Sequence, residues 1–514
     1  MEDINSKGSR TSRAAKGILT SFLQFGLQSG LQFILSPIIL RIAGQETLGA
    51  YAILMQVIGY LALTDLGFGV AVSRYLAQAT AYDDQGARFR DIITTGKTFS
   101  LGANIIFALL AVALSWKIGT LFDLNPAVAG EAQLGLVLLA VWAVVRTPLG
   151  AYPAALIATQ NLAAANLTNL SGSVVRLILS LGLVLAGAGL TGLILTNIAT
   201  EALTLILQRG YYRRTYSNPR WGWGIPDRKL LREMTGFGLQ YLLVSVASRL
   251  VFSTDNLVVG GQYGPTAAAA YYSTQMPTFL FVSLVWKITD NSAPAANELF
   301  GRGAYERLQS AFLRLLRYSL LLAFGLLLGL LAFNQRAITV WVGAGQYAGD
   351  AMTVALALFA IATIVNHAIA LMIVVYGTVR WLSVVGIIGG LTNLALSIAL
   401  GLSIGPSGVM VASAIVELLS SVLLGRHVLQ LMQLPKRRIW REVLVPTLAA
   451  SCCTLPVLAV MYLVSPPFTW TALILWTLLF GLAWSAGVSI FGLNRDELNQ
   501  LRGYFMRQLA LGKK

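Results

Sequence analysis

Hydrophobic residues run along this chain in blocks of twenty or so, separated by short polar connections that carry most of the charge. As a helix, a block of that length crosses the ~30 Å hydrocarbon core of a bilayer. Backbone groups in lipid must be satisfied within the element, and blocks this continuously apolar are too long for barrel strands, so each reads as a transmembrane helix. The pattern predicts spans at 17–42, 47–79, 94–115, 131–159, 166–188 and 190–212. A second set falls at 234–262, 266–293, 308–333, 351–376, 381–403 and 406–432, and two more at 442–464 and 468–491. The expected fold class is an all-α polytopic membrane protein of about fourteen transmembrane helices.

Charge tests that count. With the amino terminus in the cytoplasm and the sides alternating, cytoplasmic tails and loops, helix ends included (Lys97 among them), hold thirty of the thirty-seven Lys and Arg residues. Outside loops and helix edges hold Arg41, Lys117 and Arg336, and Arg146, Arg176, Arg249 and Lys287 lie deeper within spans. Losing one helix would invert every later loop, so the asymmetry supports the expected count. The expected organisation is a basic cytoplasmic tail (1–16), a first lobe (17–212), a basic loop (213–233), a second lobe (234–432), two further helices (442–491) and a basic tail (492–514). Both termini are expected in the cytoplasm, with the protein in a cell inner membrane.

Composition agrees: 56% of the 514 residues are hydrophobic and 11% charged, against about 25% charged in soluble proteins. The net charge of +16 reads as topology and contact with anionic lipid, not nucleic-acid binding, because no basic segment belongs to a soluble domain. Cys452 and Cys453 are adjacent, which suits neither a disulfide framework nor a metal site. No cleavable signal peptide is expected. The longest outside loop, 334–350, is too short for an active-site domain, which argues against a membrane-embedded polysaccharide polymerase or ligase and for a protein that is not an enzyme.

The halves repeat. Gly44-Gln45-Glu46-Thr47-Leu48-Gly49-Ala50-Tyr51 aligns with Gly264-Pro265-Thr266-Ala267-Ala268-Ala269-Ala270-Tyr271 at an offset of 220. Gly189-Leu190-Thr191-Gly192, followed by Glu201, aligns with Gly405-Pro406-Ser407-Gly408, followed by Glu417, at an offset of 216. Six helices separate the copies, so two similarly oriented six-helix lobes are expected, related by an axis along the membrane normal around a central cavity.

The stretch from Pro37 through Gly44-Gln45-Glu46-Thr47-Leu48-Gly49-Ala50-Tyr51 to Leu63-Thr64-Asp65-Leu66-Gly67-Phe68-Gly69 and Arg74-Tyr75-Leu76 resembles the polysaccharide transporters. These are the O-antigen and lipid-linked oligosaccharide flippases of the multidrug/oligosaccharidyl-lipid/polysaccharide exporter superfamily. Thr254-Asp255-Asn256-Leu257 through Gly264 to Tyr271-Tyr272 resembles the same family. The resemblance implies export of an undecaprenyl-diphosphate-linked sugar unit by alternating access driven by an ion gradient. It also implies partners: a polysaccharide polymerase and the glycosyltransferases that make the cargo. Rivals are a lipid II flippase and a small-molecule exporter of the multidrug-extrusion branch. The latter branch usually stops at twelve helices, so the extra pair disfavours it.

Ionisable residues near the bilayer centre are costly and therefore functional candidates. Arg146, Arg176 and Arg249 fall close to the midplane, and Arg grips phosphate oxygens bidentately at any relevant pH. They are the expected cavity cations, with the alternative that each is a structural ion-pair partner and that Glu201 neutralises Arg176. Asp255, Glu201 and Glu417 are ion-coupling candidates. Asp65, Lys287 and Asp290 are gate candidates, with a Lys287–Asp290 bridge favoured at helical spacing. Pro37, Pro148, Pro153, Pro277, Pro446 and Pro456 should kink their helices, and Gly325 with Gly329 forms a small-xxx-small pair for close helix contact.

Two features are set aside. Gly96-Lys97-Thr98 ends like a phosphate-binding loop, but the glycine required five residues earlier is Asp91. His367 and His427 are too isolated for a metal site and read as polar packing residues. No cofactor or metal is expected, and Trp221 and Trp223 should anchor the long loop at the interface.

Overall fold

A computed structural model describes residues 24–27, 30, 31, 33–65, 68–79, 87–159, 161–215, 224–494 and 497. Every regular element among them is a helix. In chain order those of eight residues or more are α1 Phe33–Ala43, α2 Gln45–Leu61, α3 Phe68–Ala79, α4 Ala87–Ser115, α5 Pro126–Val145, α6 Ala151–Ala158, α7 Leu162–Leu185, α8 Gly189–Thr215 and α9 Arg228–Phe252. They continue as α10 Asp255–Gly301, α11 Tyr305–Val342, α12 Asp350–Val375, α13 Val379–Ile404, α14 Pro406–Leu431, α15 Lys436–Val464 and α16 Trp470–Gly492. Ten of them, α4, α5, α7, α8 and α11 to α16, are long and apolar enough to cross a membrane, so the chain is a multi-pass membrane protein.

Ten is fewer than the fourteen expected spans, and each shortfall has a local origin. Part of the first span, including 17–23, lies outside the described residues, and what is described as a continuous helix, Phe33–Ala43, is too short to qualify. The second is not one helix: α2 ends at Leu61 and a 3-10 turn occupies Ala62–Asp65. The seventh breaks at Ser253–Thr254, where a run of Ser, Thr, Asp and Asn competes with the helix for backbone hydrogen bonds. Thr254 Oγ1 donates to Leu250 O at 2.7 Å. The eighth, in α10, buries Ser273, Thr274, Gln275 and Thr278 and is too polar to qualify. The fifth and sixth spans do separate, at a turn where Gly187 has φ 77° and Gly189 φ 49°.

The repeat has a backbone cause. Gly44 has φ 89° and ψ 167°, Gly264 φ 77° and ψ 178°, and Gly405 φ 82° and ψ −171°, a region open essentially to glycine alone. Gly44 and Gly405 each stand immediately before a helix, and Gly264 interrupts α10.

Pro148 sits in the 3-10 turn Thr147–Leu149 that separates α5 from α6. Pro446 follows a π-turn at Trp440–Leu444, and Pro456 follows a break at Cys453–Thr454. The helices run through Pro37, Pro153 and Pro277 uninterrupted. There the missing N–H is absorbed without ending the element.

The chain divides into two compact units, Met1–Tyr272 and Ser273–Lys514. In the first, Ala71, Val72, Leu76, Ile92, Ile93 and Met234 form a core beneath α3 and α4. There α2 meets the stretch after Gly264 so closely that a Cβ on Gly49 would lie 1.8 Å from Pro265 O. In the second, α12 and α14 are the most enclosed helices, about half buried. Phe312, Leu316, Met372, Ile373, Leu424 and Val428 lie at its core. Peripheral α16 docks on α11 through Trp484 over Gly325 and Phe480 over Gly329, which is the close approach expected of that glycine pair.

Candidate functional site

A cavity of about 580 Å³ opens in the first unit. Its polar wall comes from three helices. On α4, Lys97, Ser100 and Asn104 recur at helical spacing and form one polar stripe along the cavity. On α5, Trp142 and Arg146 lie one turn apart, and Glu201 of α8 completes the wall.

Arg146 is placed by the break after α5. Pro148 has no N–H and ends the helix, so Arg146 becomes its C-cap, with Arg146 N donating to Trp142 O at 2.9 Å. A cation there also complements the negative end of the helix dipole. Thr147 Oγ1 donates back to Ala143 O at 3.1 Å, and Asn104 Nδ2 donates to Thr147 Oγ1 at 2.9 Å, tying α4 to the turn.

Glu201 is held from two sides. Arg146 Nη1 donates to Oε1 at 2.5 Å and Trp142 Nε1 to Oε2 at 2.7 Å. The expected Glu201–Arg176 pairing is therefore corrected: Glu201 pairs with Arg146. That pair is 41% and 39% exposed, so Arg146 keeps part of its donor fork open to the cavity. Lys97, by contrast, is 7% exposed. The cavity thus carries two cations against one carboxylate, with apolar walls from Ile58, Val72, Ile93 and Phe107.

Sequence reasoning missed Lys97 by setting the Gly-Lys-Thr triplet aside and assigning its charge to a helix edge. The signal was the Lys97, Ser100, Asn104 spacing within an apolar span.

The three candidate arginines do not converge. Arg176 Nη2 donates to Tyr51 Oη at 2.9 Å, and Asn197 Nδ2 donates to the same oxygen at 3.2 Å. They line a crevice of only about 20 Å³, room for about one water. Arg249 lies in the last turn of α9, exposed, with its guanidinium against Gly59 and Nη1 donating to Ser253 Oγ at 3.5 Å.

Asp255 opens α10 just past the break and is buried, accepting from Tyr271 Oη at 2.9 Å. Tyr51 and Tyr271, equivalent in the repeat, therefore each fix an ionisable side chain. Glu417 is buried in α14 against Asn366 of α12, whose Nδ2 donates to Oε2. Among the gate candidates, the side chain of Asp65 lies outside the described residues, as do Trp221 and Trp223. Asp290 is bonded to His367 Nε2 at 2.8 Å, and Trp286 stacks on that imidazole with centroids 4.8 Å apart. His367 is thus less isolated than its position in the sequence suggests. Among the described residues no group of three or more His, Cys, Asp or Glu could hold a metal ion.

Outside the spans, Tyr347 between α11 and α12 donates to Asp350 Oδ1 at 2.6 Å. Burial first, and then that hydrogen bond, push its phenol up to about 12.

Residues 14–296 match the family model described as polysaccharide biosynthesis protein. A search of curated proteins returned no match. Among solved structures, the lipid II flippase MurJ in an inward closed conformation superposes with a TM-score of 0.67 at 15% identity, covering 92% of this chain and 98% of that one. An inward-facing multidrug resistance MATE family transporter of the MOP superfamily gives 0.66 at 15% identity, over 79% and 94%. A MOP superfamily transporter from Pyrococcus furiosus, described as having a binding pocket of reverse polarity, gives 0.59 at 14%, over 81% and 95%. These likenesses establish the fold.

Proposed function

The chain belongs to the polysaccharide biosynthesis protein family, and from that premise we propose that it is a flippase for a lipid-linked oligosaccharide. The cargo is an undecaprenyl-diphosphate-linked unit of O-antigen, capsule or exopolysaccharide. It is carried across the inner membrane by alternating access, with both termini of the protein in the cytoplasm. Glycosyltransferases supply the cargo and a polymerase consumes it.

The observation that carries this reading is the pairing of Lys97 and Arg146 in one apolar-walled cavity. A diphosphate presents several oxygens at short spacing. Arg146 offers a planar fork and Lys97 a compact charge with three donors, and both form charge-assisted bonds that outweigh neutral ones. Glu201 orients Arg146 and offsets its charge within the cavity. Trp142, fixed through its indole N–H, presents a ring face suited to a sugar, and Ser100 and Asn104 supply hydroxyl partners. Arg249, exposed and facing α2 outside that cavity's lining, is a separate cationic contact along the cargo's path.

In cells lacking the protein, undecaprenyl-linked glycan should accumulate on the cytoplasmic face. The wild-type gene should clear it; Arg146→Glu and Arg249→Glu copies should not. Normal glycan handling without the protein overturns the proposed cargo.

A further inference from the structure

The two repeat-related glutamates have equivalent partners of different chemistry. Glu201 and Glu417 are separated by 216 positions, and their partners Arg146 and Asn366 by 220, the two offsets of the internal repeat. In each unit the glutamate therefore reaches the same place on a neighbouring helix, α8 to α5 in the first and α14 to α12 in the second. In the first the partner is a guanidinium at 2.5 Å. In the second it is a neutral amide, whose Nδ2 donates to Glu417 Oε2 and to Glu417 O at 3.1 Å.

Exposure separates the twins further. The Glu201 side chain is 39% exposed to its cavity, while Glu417 is 7% exposed. An ionised Glu417 would be a buried charge with no cation bonded to it among the described residues, a costly arrangement. Next to it, Asn366 Oδ1 is buried and accepts no hydrogen bond. One donor serves both needs: a proton on Glu417. An acid and an amide form a two-bond ring, the amide N–H donating to one carboxyl oxygen and the carboxyl O–H donating to the amide oxygen. The orphaned Asn366 Oδ1 is the acceptor that this ring requires.

The surrounding helices supply no competing charge. α14 packs on α12 and α13. On α12 the nearest titratable residue is His367, which turns to Asp290 at 2.8 Å. α13 has no ionisable side chain beyond Arg380 near its start. On α14 itself Arg426 and His427 come nine and ten positions later, about 14 Å along the helix.

We propose that Glu417, paired with Asn366, is a proton-binding site, and that its twin Glu201 is a fixed counter-ion that binds none during transport. The proton is taken from water onto a Glu417 carboxyl oxygen and returned to water, with no other bond made or broken. That this proton is coupled to cargo movement rests on the flippase reading; that it binds does not.

The test is infrared difference spectroscopy on the purified full chain in nanodiscs, following the carbonyl stretch of a protonated carboxyl as pH is raised. The wild type should show the band, and it should fall away at alkaline pH. Glu417→Gln should remove it, and Glu201→Gln should leave it in place. Asn366→Ala keeps the carboxyl but loses the ring, and should shift the band's position. Asn366→Arg copies the first unit's ion pair and should abolish it. A band indifferent to Glu417→Gln, or absent from the wild type, overturns the proposal. The spectrum needs no transport, so it decides proton binding even if the cargo is wrong. In proteoliposomes, coupling predicts that cargo movement responds to a pH gradient in the wild type and loses that response in Glu417→Gln. A full response in that variant separates Glu417 from coupling.

Discussion

Replacing Lys97 with Met removes one cation from the cavity while keeping a side chain of similar length and apolar body. Val72, Ile93 and Phe107 already line the space around it, so the thioether has matching neighbours. A hydrogen bond to a charged group contributes about 1.5–3 kcal/mol. At about 1.4 kcal/mol per decade, the loss of one such bond to a diphosphate oxygen weakens binding roughly 10- to 150-fold. Arg146→Gln should weaken binding to a similar extent but lower the unfolding temperature, because it leaves Glu201 without its cation. The double variant should lose less than the sum of the two, since both residues grip one diphosphate. The assay is equilibrium binding of a short-chain polyprenyl diphosphate to the detergent-solubilised protein, with the matching polyprenol as neutral control and a thermal melt in parallel. Unchanged affinity in a folded Lys97→Met protein refutes the role. Equal loss for the diphosphate and the neutral alcohol refutes charge recognition.

Three further outcomes follow from the packing. Arg317 Nη2 donates to both carboxylate oxygens of Glu497, at 2.5 and 2.6 Å, with side chains only 6% and 11% exposed. Glu497→Ala should therefore cost about 3–5 kcal/mol in thermal or denaturant unfolding, while the double change Arg317→Met with Glu497→Leu recovers most of it. Gly49→Ala would drive a Cβ to 1.8 Å from Pro265 O. It should destabilise by about 1–3 kcal/mol, seen as faster proteolysis, whereas Gly102→Ala, with open space around it, should be silent. Tyr347 stays protonated in the folded state up to about 12, above the 10.0 of a free phenol. The stability it contributes is thus complete below 10.0 and is lost as pH rises toward about 12. Tyr347→Phe should flatten the melt-temperature decline over that alkaline window.

Much of this architecture was legible in the hydropathy pattern because the bilayer imposes one length and one satisfied backbone on every span. Glycines at 44, 264 and 405 marked the repeat for a reason the angles make plain: no side chain is tolerated there. What hydropathy averages hid were interruptions. A window centred on 47–79 or 234–262 stays apolar across a 3-10 turn or a Ser-Thr break, yet those breaks set where Arg249 and Asp255 stand. Pairings were less legible still. Glu201 lies one helix from Arg176 in sequence but bonds Arg146, because α8 packs on both α7 and α5 and spacing along the chain does not say which neighbour a side chain meets. Lys97 was obscured for a different reason: its Gly-Lys-Thr triplet resembles the end of a nucleotide loop, which masks its polar neighbours Ser100 and Asn104 at helical spacing.

The central claim is that this protein moves a diphosphate-linked lipid from one leaflet to the other. The most direct test places the purified protein in liposomes with a fluorescent polyprenyl-diphosphate-linked sugar and adds a membrane-impermeant quencher outside. The account predicts that the protected inner-leaflet fraction falls with time in wild-type liposomes and persists in Lys97→Met and Arg146→Gln liposomes. Protection that persists with wild-type protein, or that collapses equally in all three, contradicts it.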